Sequence, residues 1–159
     1  MAAFPDRLAG AAVSSAFILL AELRGGEAEA ARAAIGALDT PFARVPGTHL
    51  ARVQVLEENH LLLAADHDGP LEPWLLAAAR ELDAVLAHCA FWPGADKPAE
   101  VVSWAGDRSL PAGFSVVGSP HATVEEVGEA LALRERLARF AAETEGLDDA
   151  ALHAAWKAR

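Results

Sequence analysis

Apolar and polar residues alternate most clearly between 48 and 68, and the rest of the chain can be laid out around that stretch. Within 49–56, His49, Ala51, Val53 and Val55 fall on one side and Leu50, Arg52, Gln54 and Leu56 on the other, the period-2 pattern of a strand. Glu57 to His60 read as a turn and 61–66 as the returning strand, stopped by Asp68, Gly69 and Pro70. Setting Leu56 opposite Leu61 brings His49 across from Asp68, with Asp66 on the same face. Arg52 and Gln54 then share the other face with Leu61, Leu63, Ala65 and His67.

Upstream, 12–23 has a continuous apolar centre of Phe17, Ile18, Leu19 and Leu20, ended by Arg24 and two glycines. It predicts a central strand buried on both faces. In 27–38, Ala28, Ala31, Ile35 and Leu38 recur at helical spacing behind an acidic first turn, and Pro41 closes the helix. Downstream, 71–88 reads as a second helix, with Pro73 harmless in its first turn and a wide apolar face that includes Trp74, Leu75, Ala78 and Leu82. The stretch 91–111 reads as irregular and 113–117 as a short fourth strand. Thr123 and Glu126 form a T-x-x-E capping box opening a third helix to about 144, and 148–157 predicts a short last one.

The order β-α-β-β-α-β-α plus a tail helix predicts an α+β fold of the split βαβ, ferredoxin-like kind. It has a four-stranded antiparallel sheet in one domain over 1–159, with a helical tail at 146–159. Helices on one face leave the other bare, so two copies are expected to pack sheet to sheet as a homodimer around a pocket.

Composition narrows the partners. Thirteen Lys and Arg against 23 Asp and Glu give a net charge of −10, which disfavours nucleic acid and anionic membrane. The apolar run 8–21 is too short to span a bilayer and follows a poor n-region for a signal peptide. A single cysteine, Cys89, suits a reducing cytoplasm. The heavy use of alanine, glycine and arginine points to a GC-rich bacterial genome.

His49 beside Asp66 or Asp68 has the makings of a general base, because a carboxylate fixes the imidazole tautomer. Arg52 could hold a carboxylate or enolate oxygen through its fixed fork of donors, or be spent on a salt bridge to Glu22 or to a dimer partner. Gln54, His67, Trp74 and Trp92 are candidate ligand-lining residues. Asp66, His67 and Asp68 point alternately to opposite faces, so no metal is expected there. Cys89 follows a helix C-terminus and reads as core, whereas His88 could offer the one axial donor a haem iron needs. There is no G-x-G-x-x-G or P-loop pattern.

The order of elements is similar to that of the dimeric α+β barrel superfamily. That superfamily includes antibiotic-biosynthesis-type monooxygenases, some polyketide cyclases, and the haem-binding chlorite dismutase and dye-decolorising peroxidase families. The segment THLARVQVL…LLLAADHDGPLEPWL…AHCAFWPG also resembles a bacterial group with a T-H-x-A-R strand, a D-G-x-L turn-helix and an H-C-x-x-x-P-G element. This second resemblance covers the middle of the chain and carries His49, Arg52, Asp68, Gly69, His88 and Cys89. Together they imply a dimer and a pocket. The resulting expectation is a cytoplasmic enzyme acting on a small, mostly apolar organic molecule by acid/base or cofactor-independent oxygenase or cyclase chemistry. The alternatives are a haem-binding peroxidase-like protein using His88, and a non-catalytic ligand-binding or dimerisation module.

Overall fold

The computed structural model describes residues 14–111 and 122–158 and divides the chain into two compact units, Met1–Val124 and Glu125–Arg159. The first unit carries β1 (Ser14–Glu22), α1 (Ala28–Gly36), a 3-10 turn (Pro41–Arg44), β2 (Thr48–Leu56) and β3 (His60–Asp68). These are followed by α2 (Leu71–Glu81), α3 (Asp83–Leu86), α4 (Pro98–Gly106) and β4 (Ser109–Leu110). The strands form one antiparallel sheet in the order β2-β3-β1-β4.

Alternation along β3 sorts the sheet. Leu61, Leu63, Ala65 and His67 are buried, and the residues between them are only partly so. Leu63 lies between Leu19 of β1 and Val53 of β2, and Ala65 between Phe17 and Ala51, so each layer of the core spans three strands. Against this face pack Ala28 and Ala31 of α1, Trp74, Leu75 and Ala78 of α2, Val85 of α3 and Val101 of α4. Alanine at the helix contacts lets the helix backbones approach the sheet, and each fully buried leucine contributes about 2–3 kcal/mol.

The structure departs from the pattern-based expectation at several points. β1 is central but not buried on both faces: Phe17, Leu19 and Ala21 are in the core, Ile18 and Leu20 are half-buried, and Ala16 and Glu22 are exposed. The second helix is two, broken at Leu82 (φ −103°, ψ 6°), and the break lets Leu82 and Val85 both bury completely. The stretch expected to be irregular contains α4, opened by Pro98 and anchored through Val101, Trp104 and Ala105 at i, i+3, i+4 spacing. The fourth strand is Ser109–Leu110, paired with Leu19 and Ile18, and the expected strand at 113–117 lies outside the described residues.

The hairpin register is one residue away from the expected one. Leu56 faces His60, not Leu61, because the turn holds three residues, with Glu57 at φ 52°. Arg32 of α1 reaches over this turn, donating to the Glu57 carbonyl at 2.6 Å and pairing with Glu58 at 3.1 Å. An exposed ion pair contributes at most about 1 kcal/mol, so Arg32 positions the turn while the leucine layers stabilise it.

In the second unit, α5 continues from Val124 (Val124–Glu143), starting where the capping box places it. The short helix α6 (Asp149–Lys157) is capped by Asp148, whose side chain accepts from the Ala151 amide at 2.9 Å. Phe140 meets Trp156 edge-on at 5.3 Å, and neither helix has a buried residue. Among the described residues no helix is long and apolar enough to cross a membrane.

The one-sided core sets a stability contrast. Leu63→Ala, at 2% exposure, should cost about 2–5 kcal/mol in denaturant unfolding, whereas Leu50→Ala, at 65%, should stay within about 0.5 kcal/mol. Equal losses at the two positions would contradict a core confined to one face.

Candidate functional site

The register places the candidate residues differently from the simple alternation. Residues paired across an antiparallel ladder share a face, so Arg52 (opposite Ala64), Gln54 (opposite Leu62) and Leu50 (opposite Asp66) belong to the face that α1–α4 leave uncovered. Arg52 and Gln54 therefore do not share a face with Leu61, Leu63, Ala65 and His67. A one-residue slip exchanges every side chain between faces, which is the source of the difference.

His49 escapes the same rule. Thr48 pairs with His67 and Leu50 with Asp66, leaving His49 as the extra residue of a bulge. Freed from alternation, its ring donates from Nε2 to Asp68 Oδ1 at 2.6 Å, with side-chain exposures of 18% and 15%. Asp68 uses its second oxygen as well, accepting from the Val124 amide at 2.8 Å. With the Asp68 carboxylate accepting at Nε2, the neutral form of the imidazole carries its proton there and its lone pair on Nδ1, the tautomer a base needs. The close approach depends on Gly47. Its φ is 77°, its carbonyl accepts from the Asp68 amide at 2.8 Å, and a Cβ there would meet the Asp68 Cβ at 3.3 Å.

The structure brings His49 and Asp68 together where β2 begins and β3 ends, with Asp66 nearby on β3, while Arg52 lies on the same face but at mid-strand, opposite Ala64. Arg52 is exposed and makes no ion pair among the described residues, with Glu22 included in that statement. Ser14 is a member that pattern reading missed. It lies directly across the ladder from Asp68, is 5% exposed, and its hydroxyl has no hydrogen-bond partner among the described residues. Nothing in the letters around Ser14 distinguishes it from any other strand-end serine.

The proposed ligand-lining residues are not collected together. Gln54 lies on the uncovered face, while His67 and Trp74 stack at 4.9 Å within the core on the other. Trp74 donates to Thr48 Oγ1 at 2.9 Å, and Thr48 in turn to the Val45 carbonyl at 2.8 Å, so this cluster closes the hairpin base. His67 donates from Nδ1 to the Asp68 carbonyl at 3.3 Å, and burial holds its pKa below the usual histidine value. Trp92 is elsewhere, donating to Asp83 at 2.9 Å and packing edge-on against Trp104, whose ring Arg108 covers at 4.8 Å.

His88 and Cys89 belong to a clasp. Leu23 bridges to Cys89, the Arg24 amide donates to the His88 carbonyl at 3.0 Å, and the Ala90 amide to the Glu22 carbonyl at 2.8 Å. The His88 Nδ1 donates to Glu27 Oε2 at 2.6 Å, and that hydrogen bond, helped by Arg24, holds the Glu27 carboxyl below its ordinary pKa. The clasp engages His88 through its carbonyl and its Nδ1. Burial pushes the Cys89 thiol up to about 12, which makes it a packing residue. Among the described residues no three His, Cys, Asp or Glu side chains gather as metal ligands. The surface hollows on α5 and α6 are lined by residues such as Glu129, Leu133, Phe140 and Trp156, and by none of the candidates above.

Fold and site together define an α+β protein with a histidine–aspartate pair at the end of a four-stranded antiparallel sheet, on the face that α1–α4 leave uncovered. No family model, no curated protein and no solved structure matches the chain.

The buried His67 makes stability pH-dependent. Its folded pKa is depressed, so its contribution is fully present above the unfolded value near 6.5 and is lost as pH falls through the folded one. Unfolding free energy should therefore drop below about pH 6.5, by up to about 1.4 kcal/mol per pH unit from this group. His67→Phe should flatten that slope. An unchanged slope in the variant would assign the acid sensitivity to other groups.

Proposed function

We propose that this chain is a ferredoxin-like, cytoplasmic homodimeric enzyme of the dimeric α+β barrel kind, working on a small, mostly apolar organic molecule by acid/base chemistry. The observation that carries the reading is the 2.6 Å hydrogen bond between His49 and Asp68 on a sheet face that α1–α4 do not cover. Ile18, Leu20, Leu62 and Ala64 give that face an apolar floor, and two such faces packed together would enclose a dry chamber. His49 is the acid/base, taking a proton at Nδ1 while Asp68 stabilises the imidazolium that results. Arg52, unpaired among the described residues, stabilises negative charge developing on a substrate oxygen, as in an enolate or phenolate. Asp66 borders the same end of the face. The orphan hydroxyl of Ser14 is a polar group for the substrate to satisfy.

The test uses proton exchange. Wild-type protein is incubated in deuterated water with a panel of apolar enolisable ketones and phenols, and exchange at carbon is followed by NMR. For any member turned over, His49→Ala should lower the rate by about 10²–10⁴-fold, and Asp68→Asn should lower it too. Ser14→Ala should leave the ligand-free protein equally or more stable, because it removes an unsatisfied buried group, while weakening turnover. Full turnover by His49→Ala would remove the assignment, and a panel with no turned-over member would favour a ligand-binding module.

A further inference from the structure

The sheet has an edge as well as the face that α1–α4 leave uncovered. β2 is the outermost strand of the sheet, nine residues long, and among the described residues no strand lies beside its outer backbone. Such edges template pairing with another chain unless proline, unmatched charges or a bulge blunt them, and the one charge in the regular part of this strand is Arg52. Thr48–Leu56 contains no proline and no lysine, and its one bulge lies between Thr48 and Leu50. From Leu50 to Leu56 the strand is regular, with an uninterrupted register against β3. Leu50, at the end of this run, leaves 65% of its surface in water.

We propose that β2 pairs with β2 of a second copy, antiparallel, about a twofold axis at Val53, extending the sheet from four strands to eight. The sequence of the regular segment is self-complementary in this one register. On the face that α1–α4 leave uncovered, Leu50 of one copy meets Leu56 of the other, and Arg52 meets Gln54, an acceptor for its guanidinium. On the core side Ala51 meets Val55, and Val53 meets its own equivalent. All seven residues find a partner of matching character, and each direct pair shares a face as antiparallel geometry demands.

The neighbouring registers are worse. Moving the pairing by two residues one way puts Arg52 directly opposite Arg52, where like charges repel. Moving it two the other way sets Arg52 against Leu56 and shortens the ladder. A slip by one residue would set core-side residues against those of the other face. The bulge at His49 marks where the ladder ends, so the acid/base candidate stays outside it. This contact runs through the β2 backbone edge and does not rest on the sheet-to-sheet packing invoked for the enzyme, although Arg52 and Gln54 border both.

Charge substitution at the surface tests the register. Gln54→Arg sets arginine against arginine twice across the axis and should halve the mass seen by light scattering. The double variant Arg52→Glu, Gln54→Arg places opposite charges across the same pairs and should restore the mass. In the wild type the amides of the 50–56 segment should lose hydrogen-exchange protection on dilution. Val53→Cys should cross-link two copies under mild oxidation, with the native Cys89 buried and unable to compete. If sheet-to-sheet packing also forms, the wild type contains four chains, and the Val53→Cys cross-link, formed only across the edge, identifies which contact a variant has lost. If it does not, the wild type contains two chains and Gln54→Arg one, and the cross-link reports the edge pairing whatever becomes of the enzyme reading. A wild-type chain that runs as a single copy at all concentrations, a mass unmoved by Gln54→Arg, or no Val53→Cys cross-link overturns the pairing.

Discussion

The leucine layers across the three long strands hold the first unit together, and everything at the candidate site is placed relative to them. Leu61 and Leu63 of β3 are 0% and 2% exposed and lie between Ala21 and Leu19 on one side and Val55 and Val53 on the other. These contacts admit no slip, because moving any strand by one residue would exchange core leucines for the half-buried or charged residues of the opposite face. With β3 locked in this way, Asp66 and Asp68 emerge on the uncovered face and His67 is driven into the core.

That locking explains how one strand end serves two purposes. On the core side, His67, Trp74 and Thr48 form a stacked and hydrogen-bonded plug that closes the base of the hairpin. On the other side, a single extra residue in β2 turns His49 across to Asp68. The bulge, the left-handed Gly47 and the shared carboxylate are one local device, since the Asp68 main chain bonds Gly47 while its side chain bonds His49 and Val124. Bulges commonly re-aim a side chain in this way, and here the redirected residue is the one whose chemistry is most useful.

Helices α1–α4 are spent on one face, and two other surfaces of the sheet carry the candidate features. One is the face carrying Ile18, Leu20, Leu62 and Arg52, and the other is the outer edge of β2. Leu50 and Leu110, at opposite ends of the strand order, are both well exposed, as suits surfaces that gain by meeting another molecule. The proposed chemistry uses side chains of the face and the proposed edge pairing uses the β2 backbone, with Arg52 common to both.

Much of the first unit was legible in the letters. Period-2 alternation marks β2 and β3, the glycine pair ends β1, and the capping box starts α5, all through local physics that needs no distant partner. The antiparallel hairpin and the proximity of His49 and Asp68 followed from the same pattern, although by way of a register that does not occur. The three-residue turn, clamped by Arg32 from α1, and the bulge that offsets it depend on contacts distant in sequence, which alternation cannot supply. The same holds for the break at Leu82, for α4, for the clasp that engages His88, and for the burial of Ser14. In each case the deciding partner is more than a turn or a strand away along the chain, so only the folded structure could bring it into place.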